Sequence, residues 1–324
     1  MLIHKSPHCF LFFLTFFLAC SASASEYITK IGLNVEHTNN SGLLSKSQAQ
    51  HDIKVAPSLV IDYRIGSGNF QSNLNYSATR NDYMKNTFAD RSDVLGSGTF
   101  LWKIFDRTLV WNLSQNRRRL KIDSLLGNDP SNQTNRNILQ TGPRLTIGFG
   151  RNNTFAVDAS YVESSFSQGS TNNSQQERLG LEYQRIINAQ DKLKVTVLAA
   201  ESKFDDSIFD YQFQRYNVTL ESNPRNFQYS IAIGHNSIDR NMGASLSGPY
   251  LSFSVSANKS NSSWSFSGNR ELTDSSIGIG VSENLPDSRF NRDSNLANAD
   301  IVERIRSDFI YRTWFANERV SFAL

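Results

Sequence analysis

The stretch Ile53-Lys54-Val55-Ala56-Pro57-Ser58-Leu59-Val60-Ile61-Asp62-Tyr63-Arg64 decides the fold. In an extended chain successive side chains point to opposite faces. Ile53, Val55, Leu59, Ile61 and Tyr63 therefore lie on one side, and Lys54, Ser58, Asp62 and Arg64 on the other. The same alternation returns in Phe70, Leu74, Tyr76 and Ala78, with polar residues between, and again in Leu193, Val195, Val197 and Ala199, where Lys194 and Thr196 intervene. The alternating segments run about ten residues, the length a tilted strand needs to cross a bilayer.

Working outward, the pattern predicts about 14–16 strands. They include segments near 27–37, 52–64, 94–104 and 301–314, with a short last segment carrying Val320, Phe322 and Leu324. Connection lengths alternate too. Tight turns such as Gly66-Ser67-Gly68, Asp106-Arg107 and Asn223-Pro224-Arg225 follow even-numbered segments, and long polar loops near 117–137, 165–175 and 237–247 follow odd ones. Gly, Asn, Asp and Pro supply the backbone angles of tight hairpins. Short periplasmic turns and long external loops characterise outer-membrane barrels. The expected fold is an all-β, antiparallel up-and-down transmembrane barrel with a periplasmic amino terminus. Ile277, Ile279 and Val281 also alternate, and preserving the order of connections assigns them to a loop.

Pro57, Pro143 and Pro249 each precede a Leu by two residues, which predicts that they open even-numbered strands, where a missing ladder donor is tolerated. An odd count of fifteen leaves two outcomes, because bacterial single-chain barrels close with an even number of strands. Either Ile277–Val281 is a strand, or at least one strand lies beyond Leu324.

The amino-terminal residues read as a secretory leader: Lys5, an apolar run from Cys9 to Cys20, then Ala22-Ser23-Ala24. This divides the chain into a signal peptide, 1–24, and a barrel, 25–324. Phe17-Leu18-Ala19-Cys20 offers a rival lipoprotein reading. Cleavage after Ala24 removes both cysteines, which excludes thiolate metal sites and cysteine nucleophiles. A mean hydropathy of −0.42 fits a barrel, in which only alternate residues meet lipid. A net charge of +3 over 324 residues gives no reason to expect a nucleic-acid partner.

With apolar residues outward, the candidate lumen charges are Asp62, Arg64, Asp158, Glu182, Lys194, Arg304, Arg306, Asp308 and Arg312. They can line an aqueous path or fill the lumen as ion pairs. Arg117, Arg118, Arg119 and Lys121 form the one dense basic run and a candidate anion-binding loop for lipopolysaccharide phosphates or an anionic glycan. Trp102, Trp111, Phe149, Tyr161, Tyr183 and Trp314 suit interfacial girdles. His37, His51 and His235 show no paired metal spacing, and His235-Asn236-Ser237 has the residue types of a hydrolase without the geometry, since strand neighbours diverge. No cofactor and no catalytic residue is expected.

Leu74-Asn75-Tyr76-Ser77 followed by Tyr83, Gly142-Pro143-Arg144-Leu145, Arg270-Glu271-Leu272-Thr273-Asp274-Ser275-Ser276 and Asp300-Ile301-Val302-Glu303-Arg304 resemble a family of outer-membrane β-barrels encoded with exosortase/PEP-CTERM and exopolysaccharide systems. The resemblance implies a non-enzymatic role in exopolysaccharide or capsule export or surface assembly, with polysaccharide export machinery as partner alongside outer-membrane lipid and lipopolysaccharide. A general diffusion porin and a surface structural or adhesive protein remain the alternatives.

Overall fold

The computed structural model describes residues 25–39, 51–106, 108–122, 132–167, 173–259, 261–274, 301–315 and 318–323; within the last two segments only some side chains are described. The leader, Cys20 and Ile277–Val281 lie outside the described residues.

Fifteen strands account for nearly all of them: β1 (Ser25–Thr38), β2 (Asp52–Gly66), β3 (Phe70–Tyr83), β4 (Arg91–Phe105), β5 (Leu109–Lys121), β6 (Gln133–Phe149), β7 (Asn153–Phe166), β8 (Ser174–Ile186), β9 (Asp191–Phe204), β10 (Tyr211–Ser222), β11 (Phe227–Arg240), β12 (Leu246–Asn258), β13 (Ser262–Asp274), β14 (Ile301–Phe315) and β15 (Glu318–Ala323). Each pairs antiparallel with the next, in one sheet ordered β1 through β15. The result is an up-and-down β-barrel wall. A short 3-10 turn, Ser207–Phe209, precedes β10. Among the described residues no helix is long and apolar enough to cross a membrane.

The cross-strand register turns the sequence alternation into two faces. Val195 pairs with Val218, Val218 with Ile233 and Ile233 with Leu251, so one apolar row runs over four strands. Phe155, Tyr183, Val157, Leu181 and Val197 continue it. These side chains point away from the barrel, with Ile31 86% and Ile233 62% exposed. The opposite face buries polar groups: Ser202 and Asn236 are fully covered, and Gln176, Arg178, Arg215 and Glu271 nearly so. Contiguous apolar surface of this extent marks an interaction face, because water disfavours it.

The strands are longer than the alternation suggested. β5 continues through Lys121 and β6 starts at Gln133, so 117–121 and 133–137 are paired ladder and not loop. β7 and β8 likewise reach to Phe166 and back to Ser174. Polar sequence hid these extensions, since a ladder protruding beyond the hydrocarbon has no apolar outer row.

The three prolines do not open their strands. Pro57 is the sixth residue of β2, Pro143 the eleventh of β6 and Pro249 the fourth of β12. All keep register with the preceding strand, as Leu33–Pro57, Trp111–Pro143 and His235–Pro249. The ladder to the following strand skips Pro57 and Pro143 and, for β12, begins only at Leu251. Each proline turns its missing N–H toward the next strand, which interrupts that ladder alone.

Apolar packing inside is confined. Leu198, Ala200, Phe204, Tyr211, Phe213, Ile238 and Leu272 form one buried cluster, and Ile138 with Val162 a second.

Candidate functional site, the polar lumen

The inner face carries charges in register-matched groups. Arg144 of β6 reaches past its neighbour: Nη1 donates to Asp158 of β7 at 2.8 Å and Nη2 to Glu182 of β8 at 2.9 Å. Lys194 of β9 donates to Glu221 of β10 at 2.7 Å. Arg306 and Asp308, two residues apart on β14, meet at 2.8 Å, and Asp62 and Arg64 on β2 at 3.4 Å. Residues two apart on a strand share a face, which brings the last two pairs together.

A deeper pair joins β10 to β13. The Arg215 guanidinium lies 4.8 Å over the Tyr250 ring and 4.0 Å from the Glu271 carboxylate. Glu271 is 2% exposed. Asn236 of β11, beneath them, donates its amide to the Gly248 carbonyl at 3.1 Å and accepts from the Leu272 N–H at 3.0 Å. Gly234 makes room nearby: a Cβ there would stand 2.1 Å from the Tyr216 carbonyl oxygen.

Of the nine expected lumen charges, Asp62, Arg64, Asp158, Glu182, Lys194, Arg306 and Asp308 stand in these ion pairs. Arg312 is in register with Ser263 and Arg304 with Glu271; the Arg304 side chain lies outside those described. Arg144, Glu221, Arg215 and Glu271 were missed. Alternation marks Glu221 as inward as plainly as Lys194, but only register shows that the two touch.

The basic run is not a loop. Arg117, Arg118, Arg119 and Lys121 close β5, and strand parity divides them. Arg118 stands in register opposite Arg136, and Arg117, Arg119 and Lys121 alternate with it along the strand. Arg119 contacts Asp93, which also accepts from Arg91 Nε at 2.9 Å and Asn135 Nδ2 at 2.7 Å. One of the four charges is thus committed to holding β4, β5 and β6 together.

On the outer face, aromatic rings gather at the tight-turn ends. Phe70 stacks on Trp102 at 5.7 Å, Phe149 on Tyr183 at 6.1 Å, and Phe227 packs edge-on to Trp264 at 6.4 Å. Trp111, 39% exposed, shares register with Trp102. Tyr161 shares this outward parity, in register with Glu177, while the Trp314 side chain lies outside those described. His235 stacks on Tyr216 at 5.6 Å, and His51 contacts Lys85 beside Asp52, whose carboxylate accepts from the backbone N–H of Ile53, Lys85 and Thr87.

No family model matches the chain, and no curated protein does. Among solved structures, similarity is found to Pseudomonas aeruginosa OccK2 (OpdF), at 11% identity over 89% of this chain and 74% of that one, with a TM-score of 0.39. OccK2 in complex with glucuronate gives 11%, 90%, 76% and 0.38. OccK11 (OpdR) of the same organism gives 10%, 92%, 87% and 0.37. The likeness is loose.

Proposed function

We propose that this chain is a non-enzymatic barrel of the bacterial outer membrane through which small hydrophilic solutes diffuse. The supporting observation is the inversion of its faces, with exposed apolar rows outside and a lumen of hydroxyls, amides and neutralising ion pairs. Paired charges keep the path wet without a strong field of one sign, which suits passage by size and polarity. Protein extracted from outer membranes and reconstituted in planar bilayers gives discrete, stable conductance steps under this reading. Persistent electrical silence of correctly folded protein overturns it.

Exopolysaccharide export or surface assembly is the second reading. The segments that carry the family resemblance contribute Arg144 and Glu271, both members of the lumen ion pairs. Deleting the gene tests it: secreted polysaccharide unchanged in amount and size rejects an export role.

Membrane lipid would cover the apolar outer rows. Arg117 and Lys121, at the long-loop end of β5, would meet lipopolysaccharide phosphates. Replacing both with Ser lowers the lipopolysaccharide that co-purifies, and an unchanged amount removes that contact from consideration.

A further inference from the structure

The inner wall of β11, β12 and β13 near the tight turns is almost entirely hydroxyl. Ser230 pairs with Ser254 and Ser254 with Ser267; Gln228 pairs with Ser256 and Ser256 with Ser265. These side chains line a cavity of about 460 Å³ that also borders Glu221 and Lys192. Small-molecule sites have volumes of roughly 300–1,000 Å³. Among the described residues no intramolecular hydrogen bond occupies the hydroxyls of Ser230, Ser254, Ser256, Ser265 or Ser267, so each stays available to a ligand.

A serine hydroxyl both donates and accepts, so a field of them matches groups that do both. Neighbours across the ladder are about 5 Å apart and those along a strand about 7 Å, a grid that engages several groups of one ligand together. Two nearby cations are paired, Lys194 with Glu221 at 2.7 Å and Arg306 with Asp308 at 2.8 Å, and Lys192 is the one lining cation without an ion pair among the described residues. A phosphate or carboxylate finds no unbalanced positive cluster there. We infer that this wall is a weak binding station for neutral polyhydroxylated solutes, monosaccharide-sized, at the tight-turn mouth of the barrel.

The inference names the solute class for the diffusion reading and rests on it. The test reads ion current through single reconstituted barrels as glucose is added, in wild type and in the Ser230→Ala, Ser254→Ala, Ser267→Ala triple variant. Glucose is expected to interrupt the current reversibly, and the triple variant to need about tenfold more for equal blockage. Unchanged blockage in the variant, or equal blockage by gluconate, overturns the station while leaving diffusion intact. Should the barrel conduct nothing, the diffusion reading fails. Equilibrium dialysis of labelled glucose against folded protein then tests the wall directly: binding lost in the variant supports it, and no binding rejects it.

Discussion

Arg144 and Glu182 meet at 2.9 Å although a whole strand, β7, separates the strands that carry them. Asp158 on that intervening strand takes the other arm of the guanidinium at 2.8 Å. The planar fork of arginine permits this double grip, which a lysine ammonium would make less well.

Replacing Arg144 with Ala leaves two lumen carboxylates without their shared cation. The three side chains are 34%, 30% and 26% exposed, so water screens part of the interaction and the stability loss should be about 1 kcal/mol. Selectivity responds more clearly. The reversal potential in a salt gradient moves toward cations in Arg144→Ala and toward anions in Glu182→Gln.

The buried Arg215–Glu271 pair carries larger stakes. Removing one partner from a buried pair costs up to about 3–5 kcal/mol, and less where the remaining charge keeps another partner, as Glu271 keeps the Asn269 amide at 3.0 Å. Arg215→Leu should therefore lower the unfolding midpoint markedly. Adding Glu271→Leu restores part of the loss, which thermal scans followed by gel mobility in unheated samples would record.

Gly234 and Gly142 are sites where a single methyl is expelled by backbone. A Cβ would stand 2.1 Å from the Tyr216 oxygen in one case and 1.9 Å from the Ala159 oxygen in the other. Alanine at either should cost about 1–3 kcal/mol through forced separation of paired strands. Gly148→Ala, whose nearest neighbour is 4.0 Å away, serves as a neutral control in the same scans.

The two faces predict opposite tolerance of charge. Ile233→Lys places an ammonium in the exposed apolar row and should destabilise by about 2–4 kcal/mol near mid-bilayer. Ser254→Lys, one strand away on the inner face, should fold normally and lower the conductance for cations. Denaturant titration in lipid vesicles separates the two.

Much of this barrel was legible along the chain. Alternation in segments such as Ile53–Arg64 named the strands, the apolar face and seven of the charges found in ion pairs. Turn residues such as Gly66-Ser67-Gly68 and Asn223-Pro224-Arg225 marked the hairpins. The polar ladder at Arg117–Lys121 escaped, because strand above the membrane has no apolar row to reveal it. Pro57, Pro143 and Pro249 misled for a related reason: an outward proline interrupts one ladder and leaves the other intact.

Period two is a local property, so the residues alone determined which side chains share a face and in what order the strands run. Which partner each charge finds depends on the register between strands, an offset contained in neither strand by itself. Only the tertiary structure decided that Arg144 reaches two carboxylates across β7, that Arg215 bridges to β13, and that serines from three strands line one cavity.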